Sequence, residues 1–248
     1  MKHLIASLAV SCAALRMEIE MDVVDRQRNE DATESFDILG TYRYADGATY
    51  TGQFKDGKRN GEGILRNLDG SMYEGQWKDD KQHGQGTYWF PDNSTYEGQW
   101  KDCKRNGQGT SKFTSGATYT GQYQDGKRNG EGTYKYPDDS TYEGQWKDGK
   151  QHGKGIRKYA DGATYEGQWE NDKQHGKGTH KYLDDSTYEG EFKHGKRHGK
   201  GILRYLDGSM YEGEWENDKQ QPIEQRATKS LRGSVAPDTE SCKFCTLQ

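Results

Sequence analysis

The sequence predicts an all-β protein: an elongated, single-layer, twisted antiparallel sheet, built as a repeating meander of β-hairpins. Three observations predict it. Tyr50, Tyr73, Tyr96, Tyr119, Tyr142, Tyr165, Tyr188 and Tyr211 recur every 23 residues without an insertion, and a fixed period of this size marks a repeat architecture. Leu, Ile, Val and Phe number only 28 of 248 residues, too few for an ordinary aliphatic core. Yet 17 Tyr, 6 Trp and 33 Gly accompany a net charge of only -4, which is not the composition of a solvated polyelectrolyte.

The chain divides into a leader (1–40), an array of about eight repeats (41–220) and a tail (221–248). Within the leader, residues 1–15 have the shape of a short secretory signal: Lys2 and His3 precede an uncharged run from Leu4 to Leu15. That run is too short to span a bilayer. The other readings are a short amphipathic helix or a later start at Met17 or Met21. Residues 16–40 are acidic and expected to be flexible.

Each repeat begins with a strand such as Tyr142-Glu-Gly-Gln-Trp146, in which Tyr142, Gly144 and Trp146 share one face while Glu143 and Gln145 share the other. A polar loop such as Lys-Asp-Gly-Lys-Arg-Asn is expected next. The second strand follows, with Gly153, Gly155 and Tyr159 on one parity and Lys154, Ile156 and Lys158 on the other. Its closing turn admits two registers. A three-residue loop Ala160-Asp161-Gly162 sets the Gly rows across from Tyr and Trp and separates rings from charges; a two-residue Asp161-Gly162 turn puts the Lys row against the rings. The first is preferred, because a ring lying flat on glycine backbone buries area without an aliphatic core. Asp139 and Asn93, standing where other units have Gly, tolerate positive φ. About sixteen strands spaced near 4.8 Å make an array on the order of 75 Å long. Its last full strand, Met210 to Trp215, is expected to lack a partner. Such an edge predicts a homodimer through the end strands or a tail folded back over it.

No catalytic constellation stands out. The G-x-G steps lack the third Gly and the strand-to-helix setting of a dinucleotide loop. His83, His152, His175 and His198 recur two strands apart, too far for one ion to bind two directly, so neither a metal nor any cofactor is expected. A nearly neutral array argues against nucleic acid. The surface offered to a partner is expected along the ring rows Tyr73, Trp77, Tyr96, Trp100, Tyr142, Trp146, Tyr165, Trp169, Tyr211 and Trp215, which also form the core. The unit from Tyr188 to Met210 leans basic. Its Lys193, Lys196, Arg197, Lys200 and Arg204 are the candidates for an anionic lipid headgroup. At the C-terminus Cys245-Thr-Leu-Gln248 fits a C-a-a-X prenylation box, with Cys242 placed for a second lipid.

Units such as Y-E-G-Q-W-K-D-G-K-Q-H-G-K-G-I-R-K-Y-A-D-G, beginning at Tyr142, closely resemble the MORN (membrane occupation and recognition nexus) repeat over about 180 residues. The resemblance implies a twisted sheet with an aromatic-lined groove, serving as a binding or scaffold module near membranes, cytoskeleton or organelle junctions. The expected function is therefore non-enzymatic: a cytoplasmic scaffold tethering partner proteins to a membrane or cytoskeletal structure. The alternatives are a peripheral protein binding acidic phospholipids, a regulatory subunit of a separately encoded enzyme, and, with a genuine signal, a secreted array.

Overall fold

The computed structural model describes residues 38–222. All of its regular structure is strand: β1 (Ile38–Arg43), β2 (Thr49–Lys55), β3 (Lys58–Arg66), β4 (Met72–Lys78), β5 (Lys81–Trp89), β6 (Thr95–Lys101), β7 (Lys104–Lys112), β8 (Thr118–Gln124), β9 (Lys127–Lys135), β10 (Thr141–Lys147), β11 (Lys150–Lys158), β12 (Thr164–Glu170), β13 (Lys173–Lys181), β14 (Thr187–Lys193), β15 (Lys196–Arg204), β16 (Met210–Glu216) and β17 (Lys219–Gln220). Each pairs antiparallel with its neighbours in sequence, giving one open meander of seventeen strands among the described residues, close to the sixteen or so expected. The anticipated polar loop is smaller than expected. Only two residues turn the chain, as at Asp148 and Gly149 with φ of 51° and 85°, the two left-handed positions of a type I′ hairpin. The Lys-Arg-Asn that follows belongs to the strand.

The second turn takes the three-residue register. Tyr159 donates its N–H to the Ala163 carbonyl at 2.9 Å, Gly162 donates to the Tyr159 carbonyl at 3.0 Å, and Asp161 Oδ1 accepts from the Ala163 N–H at 2.9 Å. Rings and the Glu and Lys rows accordingly part onto opposite faces. Arginine departs from that separation: Arg59, Arg128 and Arg197 lie over Trp rings on the aromatic face.

Because β10 and β11 are paired at both ends, Thr141 with Lys158 and Lys147 with Lys150, the two extra residues of β11 must be taken up in a bulge. Gly144 pairs with Gly155 and Trp146 with Gln151, so Gln145 opposes three residues. Its Oε1 closes the gap by accepting the Lys154 N–H at 3.0 Å. Gly153, at φ +59°, lies beneath that carboxamide, where any Cβ would collide. The second glycine of G-x-G has a different task. Gly155 faces glycines in both neighbouring strands, Gly144 and Gly167, rather than facing Tyr or Trp, and the Tyr142 ring folds down over it.

Tyr142 donates its hydroxyl to the Gln145 carbonyl at 2.9 Å, and the Trp146 indole donates to the Gly132 carbonyl at 3.0 Å. Trp146 stands edge-to-face against Tyr142 of its own unit and Tyr119 of the preceding one, each at 5.2 Å. The motif repeats from Phe54 to Tyr211, so a continuous zipper of rings replaces the missing aliphatic core. Each such pair contributes about 0.5–1.5 kcal/mol beyond its buried area.

At the far end the edge expected to be bare is covered in part. After Trp215 the chain turns at Asn217-Asp218 and β17 pairs back, Trp215 with Gln220 and Glu216 with Lys219. Gln221 donates to the Glu214 carbonyl at 2.9 Å and accepts from the Tyr211 hydroxyl at 2.7 Å.

Candidate functional site

Of the ten rings read from sequence as a contact surface, nine are buried. Tyr73, Tyr96, Tyr142 and Tyr165 are 0 % exposed, and Trp77, Trp100, Trp146, Trp169 and Trp215 do not exceed 6 %. Tyr211 at the array end is half-buried. These side chains are the core rather than an open surface.

What stands at the surface of the aromatic face is a second row of rings, one in each of units two to seven with Asn67 in their place in unit one, at the mouth of the three-residue turn. Phe90, Tyr136, Tyr159 and Tyr182 are half-buried, while Phe113 and Tyr205 are 37 % and 41 % exposed. They are held from beneath. Tyr134 packs 4.5 Å from Tyr136, and the Gln151 and Gln174 carboxamides donate to the Tyr136 and Tyr159 hydroxyls at 2.9 and 3.1 Å. Burial raises the phenol pKa of Tyr134, Tyr159 and Tyr182 above its ordinary value. The sequence carries this row as the Tyr or Phe, Asn67 in unit one, that closes each second strand, but its period is the same as that of the first-strand Tyr and Trp, so order along the chain does not tell which row stays open.

Guanidinium groups complete this face. Arg59, Arg128 and Arg197 lie 4.2, 4.3 and 4.2 Å from indole rings, Arg105 lies 5.2 Å from Tyr123, and Arg157 lies 3.8 Å from Tyr136. Beyond the rings the middle residue of each turn is an aspartate, except in unit three, where Ser115 stands. Asp69, Asp92, Asp138, Asp184 and Asp207 accept hydrogen bonds from the hydroxyl and N–H of the serine two residues on, which holds their carboxyls below the usual range.

The opposite face carries a channel of about 1260 Å³ reaching from Glu131 to Glu214 across the later units. It is lined by seven glutamates, three lysines and a floor of glycines rather than by rings. The five basic residues proposed for a lipid headgroup are not brought together. Arg197 lies on the aromatic face, its guanidinium over Trp215 and 3.5 Å from Asp218. By strand alternation the other four share the polar face, where Lys200 stands across from Glu214 and Arg204 from Met210. Residues 1–15, Cys242 and Cys245 lie outside the described residues. Among the described residues no helix is long and apolar enough to cross a membrane, and no three His, Cys, Asp or Glu side chains are grouped to hold a metal.

Solved structures with some likeness include the SAS-4 (dCPAP) TCP domain of Drosophila melanogaster, in complex with a proline-rich motif of Ana2. It is 11 % identical over 79 % of this chain and 100 % of that one, with a TM-score of 0.39. The TCP10 domain of Danio rerio CPAP, in complex with a STIL peptide, is 13 % identical over 75 % and 92 %, with a TM-score of 0.33. Virginiamycin B lyase of Staphylococcus aureus is 11 % identical over 75 % of both chains, with a TM-score of 0.19. No curated protein matches the chain. The MORN repeat profile matches eight consecutive segments, 50–72, 73–95, 96–118, 119–141, 142–164, 165–187, 188–210 and 211–221. Every segment opens on the tyrosine whose ring covers the paired glycines, and the chain belongs to the MORN repeat family.

Proposed function

We propose that this chain is a non-enzymatic, protein-binding scaffold whose partners lie on the half-open ring row beside the three-residue turns. One observation carries the reading: a ring in each of units two to seven stays at the surface, from Phe90 to Tyr205, while the first-strand rings are consumed by the core. Rings spaced two strands apart, roughly 9 to 10 Å, fit an extended segment lying along the array, and partly open aromatics are favoured partner contacts. The scaffold works in the cytoplasm in this reading, and tethers its partners to a membrane or cytoskeletal structure. Protein contact is favoured over a lipid surface because Arg197 is stacked on the aromatic face and the polar-face channel has more glutamates than lysines.

Site-specific photo-crosslinking in the cells that make the protein tests this. A photoreactive residue at Phe113 or Tyr205 is expected to capture protein, whereas one at Glu143 or Glu166 on the other face is not. Equal capture from both faces, or recovery of lipid alone, overturns the reading.

A further inference from the structure

The ring-stacked arginines form a series with a gap. Arg59, Arg105, Arg128 and Arg197 occupy the same position of units one, three, four and seven. In unit five Gln151 stands there, and Arg157, six residues further along β11, reaches Tyr136 at 3.8 Å and Tyr159 at 5.4 Å instead. Unit two has neither arginine, but Tyr88, 6 % exposed, closes the space. Unit six also has neither: Gln174 and His180 stand at the two positions.

There a cavity of about 850 Å³ opens, bordered by Tyr159, Tyr182 and His180 and by the carboxylates of Asp161, Asp172 and Asp184, with Lys173 the lone cation in the lining. The His180 ring lies 4.2 Å from Tyr182 and 5.8 Å from Tyr159 in stacked orientation. Its Nδ1 is buried without a hydrogen-bond partner. The place has the ring faces and the negative charge that hold a guanidinium elsewhere in the array, but no arginine lines it: Arg197, near enough to act on Tyr182 and His180, is stacked on Trp215 and Tyr188.

We propose that this cavity takes the arginine side chain of a partner protein, the same group that the chain itself provides in units one, three, four, five and seven. The inference rests on the protein-binding reading above and names the partner chemistry that one unit of that surface selects. Stacking on Tyr faces and pairing with carboxylates both favour a planar cation over a neutral side chain.

Aromatic-ring NMR of the full chain, titrated with N-acetyl-arginine amide, tests it. Saturable shifts of the Tyr159, Tyr182 and His180 rings are expected, with affinity at least about fivefold above that for the neutral isostere N-acetyl-citrulline amide. In the His180→Arg variant the chain fills its own site, as Arg157 does one unit earlier, and the arginine affinity should fall while the circular dichroism is unchanged. Equal response to citrulline, undiminished binding by His180→Arg, or tighter binding of N-acetyl-trimethyllysine amide would each overturn the assignment. Photo-crosslinking at Tyr205 in the same variant keeps the two readings apart. Undiminished protein capture leaves the scaffold reading standing and removes the arginine, whereas arginine binding with no protein captured at any ring removes the scaffold reading.

Discussion

Replacing Gly155 by alanine tests whether tyrosine rings laid on glycine backbone hold the array together. A methyl at that position would stand 2.5 Å from the Tyr142 hydroxyl oxygen, 2.6 Å from Cζ and 2.7 Å from Cε2. The ring has no room to withdraw, being 0 % exposed and held edge-to-face between Trp146 and Trp169 at 5.2 Å each. Overpacking of a tight core costs about 1–3 kcal/mol, and displacing the phenol from the Gln145 carbonyl about 1 kcal/mol more. We therefore expect roughly 2–4 kcal/mol of local destabilisation. The control is Gly162→Asn. Gly162 has a left-handed φ of +96° and nothing near its Cβ position, and Asn93, Asp139 and Asp185 already adopt φ of 66°, 63° and 61° at that turn position, so the change should stay within about 0.5 kcal/mol. Because each unit contacts only its neighbours, a single global midpoint is a poor readout. Amide hydrogen exchange along β10, β11 and β12 is the suitable one, and Gly155→Ala should accelerate it by roughly 30- to 800-fold. Exchange no faster in Gly155→Ala than in Gly162→Asn would refute the argument that the glycine exists to receive the ring.

Other consequences follow from the same contacts. Trp146→Phe keeps an edge-to-face ring, as Phe192 does in unit seven, but loses the indole bond to Gly132; urea-dependent exchange in β9 and β10 should report a loss of about 1 kcal/mol. Burial raises the core phenols above their ordinary 10.0, Tyr188 to about 12. A group with a raised folded pKa lends stability below its unfolded pKa and loses it above, so stability should decline as pH rises from about 10. Tyrosinate absorbance should then appear together with loss of strand dichroism, and phenols ionising freely in an intact sheet would contradict their burial. The turn aspartates have lowered pKa values, so their stabilising effect is present above the unfolded value of 3.8 and lost as pH falls through the folded one; Asp138→Asn should lessen the acid sensitivity of β9–β10 exchange. Arg197→Glu, placing a carboxylate among Trp215, Tyr188 and Asp218, should destabilise β15–β16, whereas Lys193→Glu should not. Equal effects on exchange would show that the guanidinium is not part of the packing.

The 23-residue period, the alternation of Tyr, Gly and Trp against Glu and Gln, and the preferred three-residue turn were legible because they are local. A two-residue parity and a turn with a left-handed third residue are properties of adjacent positions, and they dictate a meander with rings on one side. The two-residue bulge was not legible. The bulge, and the Gln145 carboxamide that caps Lys154 within it, exist only once the strands are paired. Burial behaved likewise: whether Trp146 is core or contact surface depends on Tyr119 from the preceding unit closing over it. Composition alone cannot say which of two ring rows a one-layer sheet consumes. Sequence periodicity thus determined the repeat, its faces and its turns. Tertiary packing decided which rings remain at the surface, which arginines are spent on them, and where the series of arginines is interrupted, because each depends on contacts between units rather than on order within one.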